Sequence, residues 1–171
     1  MHLIEPCCAP KHLLALRSKL GDNGTTFFHG QGDLSFAELL PALLTRYSEV
    51  DMMIVTPSLP DTVTKLLDHW MTNQWMTADG AGKVNVIKHL TLITDLRKKK
   101  SPIANGWLSD NPFGGRLELH NVQQNDTAII LPDIAMFGNI NLTYVGHFTA
   151  LATKNVRVIN NLRKNYEALC Q

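Results

Sequence analysis

The run DMMIVTPSL, residues 51–59, is apolar almost without a break and ends in Thr-Pro. A strand covered on one face alternates apolar and polar residues, whereas one covered on both faces does not. The run therefore suits a central strand with helices above and below. The next segment, 62–73, has the helical period: Val63, Leu66, Leu67, Trp70 and Met71 share one face. Asp61 is the expected N-cap. A second apolar strand is expected at Leu90 to Thr94, inside VNVIKHLTLITDL. Strand, helix, strand in this order points to a sheet with helical crossovers.

The flanking segments extend the pattern. LSFAELLPALLTRY, 34–47, is the clearest helix. Ser35 and Glu38 have capping-box spacing, and Phe36, Leu39, Leu40, Leu43, Leu44 and Tyr47 form one broad face. Pro41 must kink this helix or delay its start, because it has no N–H to donate. Earlier, PKHLLALRSKL, 10–20, is a short helix with Leu13, Leu16 and Leu20, joined by Leu14, as its apolar stripe. GDNG, 21–24, is a turn and TTFFH, 25–29, a strand. Downstream, 97–115 has the composition of a long, turn-rich connection. RLELHNV (116–122), TAIILPDIAMF (127–137) and INLTYV (140–145) are strand-like. The chain closes on a helix with Val156, Ile159, Leu162, Tyr166 and Leu169 inside and Lys154, Arg157, Arg163 and Lys164 outside. The order predicts an α/β fold, a mixed β-sheet sandwiched by helices. One domain is expected over 1–171, with 1–24 as a helical extension and 25–171 as the core.

The totals exclude several classes. A chain of 171 residues can bury a core without metal or disulfide staples. Sixteen basic against fifteen acidic residues leave +1, so no global field draws the protein to nucleic acid or to a membrane. No apolar run is long enough for a membrane span, and the N-terminus, broken by Pro6 and Pro10, lacks a signal-peptide layout. Cys7, Cys8 and Cys170 make an odd set without a Cys-x-x-Cys, which suggests reduced thiols and a cytoplasmic setting. No His/Cys/Asp spacing suggests a metal site, and GAGK at 80–83 is not a P-loop, so no cofactor is expected.

The stretch RLELHNVQQNDTAIILPDIAMFGNINLT, 116–143, joins a strand histidine to a Gly-Asn-x-Asn exit. Together with MMIVTPSL, TVTKLLDHW and HLTLITDL upstream, it resembles a single phospholipase D-like (HKD) domain. That family carries His-x-Lys on one strand, then an Asp, then a second strand leading to Gly-Ser/Thr-x-Asn. The resemblance places His120 on the nucleophilic histidine and Gly138, Asn139, Ile140 and Asn141 on the Gly-Ser-x-Asn run. It makes Asn139 and Asn141 amide donors to a bound anion, with Asp126 and His147 as secondary site candidates. It also implies a homodimer that pools two histidines across a two-fold axis.

The chain departs from the pattern. Val122 replaces the lysine, Asn139 replaces Ser or Thr, and Asp126 sits one place before the family's Asp position, Thr127. His120 to Asn141 is 21 positions, about four more than the family's span. A histidine attacking phosphorus needs a cation to take the charge growing on the phosphoryl oxygens. Losing one such donor costs about 3 kcal/mol, a hundredfold or more in rate. The implied function is therefore a non-catalytic domain serving as a binding or assembly module, for nucleic acid or another phosphate-bearing ligand. Arg97, Lys98, Lys99 and Lys100 are the expected phosphate contacts. Two alternatives stay open: a divergent, metal-independent phosphodiesterase or nuclease using His120, and an unrelated α/β nucleotide- or nucleic-acid-binding protein. Each site residue also has a plainer role. His120 can be a polar-face histidine, GNIN a tight turn, RKKKS a solvated loop, and His147 a capping or core residue.

Overall fold

A computed structural model describes residues 24–30, 39–40, 43–44, 47–72, 75–76, 83–84, 86–97, 102–140 and 148–171. The centre is a seven-stranded mixed sheet. Its strands are β1 (Thr25–Gly30), β2 (Val50–Thr56), β5 (Ile87–Thr94), β6 (Leu117–Asn121), β7 (Thr127–Ile130), β8 (Ala135–Asn139) and β9 (Phe148–Thr153). Two two-residue strands, β3 (Trp75–Met76) and β4 (Lys83–Val84), form a separate antiparallel pair. The helices are α1 (Asp61–Thr72), α2 (Pro102–Asp110) and α3 (Val156–Glu167).

Spatial order in the sheet is β1-β9-β8-β7-β2-β5-β6. β2, β5 and β6 run parallel, while β2–β7, β7–β8, β8–β9 and β9–β1 pair antiparallel. As expected from its unbroken apolarity, the 51–59 run supplies a central strand, and residues 52–56 are all buried. Its two faces meet two cores. Met52 and Ile54, with Leu90, Leu92, Ile129 and Met136, pack against α1, α2 and the helical residues Leu39, Leu40, Leu43 and Leu44. Met53 and Val55, with Ile93, Ala128 and Ile130, pack under Ile159 and Leu162 of α3. Each fully buried Leu, Ile or Met contributes roughly 1.5–3 kcal/mol, so these faces hold most of the stability.

α3 begins at Asn155, whose side chain accepts from the N–H groups of Arg157 and Val158 at 3.1 and 3.3 Å. Arg116 acts as a staple between layers. Its guanidinium donates to the carbonyls of Met71 (3.0 Å), Ile87 (2.9 Å) and Lys88 (3.1 Å), tying the end of α1 to the start of β5.

Three expectations need correction, and one strand was not anticipated. TAIILPDIAMF is not one strand: it turns at Pro132 and Asp133, where the Leu131 N–H donates to the Ile134 carbonyl at 2.9 Å, giving the β7–β8 hairpin. Proline cannot donate to a ladder, so the chain reverses there. The 97–115 connection contains helix α2, which buries Ala104 and Trp107, with the Trp107 indole N–H donating to Asp68 at 3.2 Å. FTALAT is a strand, β9, ahead of the last helix. Asp61 is the first residue of α1 rather than its cap; the Thr64 hydroxyl and N–H both donate to the Pro60 carbonyl, each at 3.0 Å.

Candidate functional site

The parallel strands β2, β5 and β6 all end on one rim of the sheet. β7 starts there and β8 finishes there, because both are antiparallel to their neighbours. In open α/β sheets ligands gather outside the carboxyl ends of the strands. On this rim the apolar rows give way to polar ones. Asn121, Thr94 and Thr56 are side by side on β6, β5 and β2. Thr127 and its cross-strand partner Gly138 lie just beyond the Val55–Ala128 pair.

Most of this rim is satisfied internally. The Thr56 hydroxyl donates to the Ser58 carbonyl at 2.8 Å, and the Asn121 side-chain oxygen accepts from the Leu96 N–H at 2.9 Å. The Thr94 hydroxyl is different. It is fully buried and, among the described residues, is the buried side-chain polar atom left without a hydrogen-bond partner. A buried hydroxyl without a partner costs about 1–3 kcal/mol. It sits between Thr56 and Asn121 as a free donor and acceptor. Periodicity could not flag it, because Thr is an ordinary strand residue.

The strands place the expected site residues far apart. His120 is on β6, the outermost strand of the parallel half, opposite Ile93 of β5. Its ring is partly exposed, with Nε2 3.9 Å from the Glu118 carboxylate. Asn139 ends β8, opposite Thr149 of β9. Three strands, β5, β2 and β7, stand between them. At about 4.8 Å per strand that is about 19 Å, too far to act on one phosphorus. The hairpin partner of the Gly138–Asn139 strand is β7, not β6. Shortening the His-to-Asn span by the family's difference of about four positions leads to Gln124, at the entrance to β7, and two further to Asp126. Residues 122–131, VQQNDTAIIL, contain no histidine and no lysine.

Gly138 has a structural reason to be glycine. Its φ is +139°, and a Cβ there would lie 2.7 Å from the Thr149 carbonyl oxygen and 3.2 Å from Ala150 Cα. The Ile140 N–H donates back to the Gly138 carbonyl at 3.1 Å, closing a tight bend at Asn139. Asp126, exposed ahead of β7, acts on α3: burial first, then the Asp126 charge, pushes the Tyr166 phenol above its usual range. Arg97 is not a free cation. Its Nε and Nη2 donate to the two oxygens of buried Asp95 at 2.9 and 3.0 Å, and its N–H adds a third bond at 3.1 Å. That hydrogen bonding, then the carboxylate charge, raises the guanidinium pKa. Asn141, His147, Lys98, Lys99 and Lys100 lie outside the described residues. Among those described, no three or more His, Cys, Asp or Glu residues are grouped to hold a metal, and no helix is long and apolar enough to cross a membrane.

The rim can hydrogen-bond an anion or a polar ligand through a hydroxyl and an amide. Among the described residues, the His120 imidazole stands beside the Glu118 carboxylate. The molecule is thus a mixed-sheet α/β domain covered by helices on both faces. No protein-family model and no curated protein matches it. Solved structures do. A polyphosphate kinase from Porphyromonas gingivalis aligns with TM-score 0.55 and 14% identity, over 99% of this chain and 29% of that one. A phospholipase D family member, Nuc from Salmonella typhimurium, aligns with TM-score 0.49 and 12% identity, over 85% and 93%. TrmBL2, an archaeal chromatin protein whose structure shows a mode of DNA binding, aligns with TM-score 0.47 and 14% identity, over 92% and 57%. This chain thus spans 29% of the kinase and 57% of the chromatin protein. At 14% identity the likeness to the kinase is one of fold.

Proposed function

We propose that this chain is a binding or assembly domain of phospholipase D-like architecture, without the family's hydrolytic chemistry. A phosphate-bearing ligand, nucleic acid foremost, is the class it takes. One observation carries the reading. The strand paired with Gly138 lies within VQQNDTAIIL, which has neither a nucleophilic imidazole nor an ammonium group. His120, about 19 Å away by strand spacing, cannot serve that hairpin within one chain.

The ligand class is favoured by the charge pattern. On α3, Arg157 and Lys164 are exposed and Arg163 partly so, against Glu167 as the one acidic residue of the helix. Lys98, Lys99 and Lys100 follow Arg97 at the end of β5. So few cations give modest affinity that falls steeply with salt.

Fluorescence anisotropy with labelled single- and double-stranded DNA tests the ligand class. Binding is expected at about 50 mM salt and should weaken by an order of magnitude or more at about 200 mM. Charge reversal at Lys98, Lys99 and Lys100 should weaken it further. No binding at low salt ends the nucleic-acid reading. Incubating concentrated protein with bis(p-nitrophenyl) phosphate, with and without chelator, tests the lost chemistry. Turnover that vanishes in His120→Ala would instead establish the divergent phosphodiesterase, for which the Glu118–His120 pair is the favouring feature.

A further inference from the structure

β6 forms one edge of the sheet, and among the described residues β5 is its one neighbouring strand. The Val122 N–H donates to the Thr94 carbonyl at 3.0 Å, on the β5 side. Main-chain groups alternate sides along a strand, so His120 and Glu118 also turn theirs toward β5. Leu117, Leu119 and Asn121 turn theirs outward. The Leu117 N–H donates to the Gly114 carbonyl. That leaves the Leu117 carbonyl, the Asn121 N–H and both groups of Leu119 along the outer edge. Side chains alternate as well. Leu117 is buried and Leu119 partly buried in the core under α1 and α2. Glu118 and His120 therefore stand on the α3 side, and solvent reaches both. On that side, burial and then the Glu118 charge raise the Cys170 thiol, which puts the exit of α3 beside this edge. Leu169, next to that thiol, is 48% exposed.

We propose that a second copy of this chain docks on β6, edge to edge and antiparallel, with the two-fold axis at Leu119. The outward groups fit that register. Each Leu119 N–H meets the carbonyl of the partner's Leu119, and each Asn121 N–H meets the carbonyl of the partner's Leu117. Between these hydrogen-bonded pairs, Glu118 lies opposite the partner's His120, and His120 opposite the partner's Glu118. Such positions are the non-hydrogen-bonded pairs of an antiparallel ladder, where Cα atoms approach to about 4.5 Å and side chains lie closest. Lysine, proline and lone charges blunt an edge strand against pairing of this kind. LELHN has no lysine and no proline. Its carboxylate, two residues before an imidazole, becomes self-complementary across a two-fold axis. Centring the register on Glu118 or on His120 instead sets like side chains opposite each other, which disfavours both. TTFFHG, at the opposite edge, carries no such pair.

Sedimentation equilibrium of the full chain over a range of concentrations is the test. The parent protein should show a monomer–dimer equilibrium. Glu118→Lys puts an ammonium group where the partner's His120 meets a carboxylate, and should weaken the dimer about tenfold or more. Adding His120→Glu to that variant reverses both pairs and should restore the parental association. Leu119→Pro removes an outward N–H and leaves the β5 ladder whole, so it should also abolish the dimer. Should Leu119→Pro fold poorly, the exchange of the exposed Glu118 and His120 still decides the matter. A protein that remains monomeric at about 1 mM overturns the proposal. A dimer that survives Glu118→Lys does so too, because its interface then lies elsewhere. Failure of the double exchange to restore the dimer equally overturns it.

Discussion

β6 and β8 reach the same rim of the sheet, yet they bring different side chains to it. β6 brings an imidazole beside a carboxylate, His120 and Glu118, on a strand with one neighbour. β8 brings Gly138, paired to both β7 and β9, and Asn139, paired to β9. A nucleophile, an amide and a cation must converge within hydrogen-bond reach to transfer a phosphoryl group. Here the imidazole of His120 and the amide of Asn139 stand about 19 Å apart by strand spacing. A motif is a statement about neighbours in space. Sequence adjacency of a histidine strand and a Gly-Asn strand does not make them a hairpin when the chain between them leaves one edge of the sheet and re-enters at its middle.

The two regions also differ in what holds them, and that can be broken. Arg116→Met removes three bonds from a charged donor to main-chain carbonyls under the β5–β6 half. It should cost about 3 kcal/mol in urea unfolding. A loss below about 0.5 kcal/mol, the range of an ordinary surface change, would mean that the clamp does not staple the layers. Gly138→Ala forces a Cβ against the Thr149 carbonyl in the β8–β9 half and should cost about 2 kcal/mol, while Asn139→Ala beside it should change little. Equal effects of the two would argue that the bend is not sterically fixed.

Thr94→Val has the opposite sign. It removes a buried hydroxyl without a partner and keeps the shape, so the unliganded protein should gain about 1 kcal/mol. If the rim binds a ligand through that hydroxyl, affinity falls in the same variant. A destabilised Thr94→Val would show that the hydroxyl is satisfied after all.

The alkaline limb is a smaller effect. Burial raises both the Tyr166 phenol and the Cys170 thiol above their usual values of 10.0 and 9.0. Both groups are neutral when protonated, so the folded state favours the proton. Their contribution is complete at neutral pH and is lost as pH climbs through the raised folded values. Thermal melts should be flat near neutrality and decline above about pH 9–10. Tyr166→Phe should soften that decline, and an unchanged slope would assign it to other groups. Smallest of all, His120→Ala should alter stability by less than about 0.5 kcal/mol, as for an ordinary surface change.

The local alphabet of this protein was readable from its residues. The apolar run that became β2 has to be covered on both faces, because no polar residue interrupts it between Asp51 and Thr56. The stripe of α1 needs only its own helical period. The Pro132–Asp133 pair inside TAIILPDIAMF also announces its turn. α2 was harder: Pro102, Gly106 and Ser109 weaken its helical pattern, and buried Trp107 finds the partner for its indole N–H in Asp68 of α1.

Strand order was a different kind of information. Which ladder β7 joins depends on β2 having a free edge and a matching apolar face more than seventy positions earlier in the chain. Periodicity reports how a segment faces its surroundings and is silent on which segment lies beside it. The separation of His120 from Asn139, the stranded hydroxyl of Thr94 and the need for glycine at 138 all arise from those pairings. They come into being only when distant strands meet.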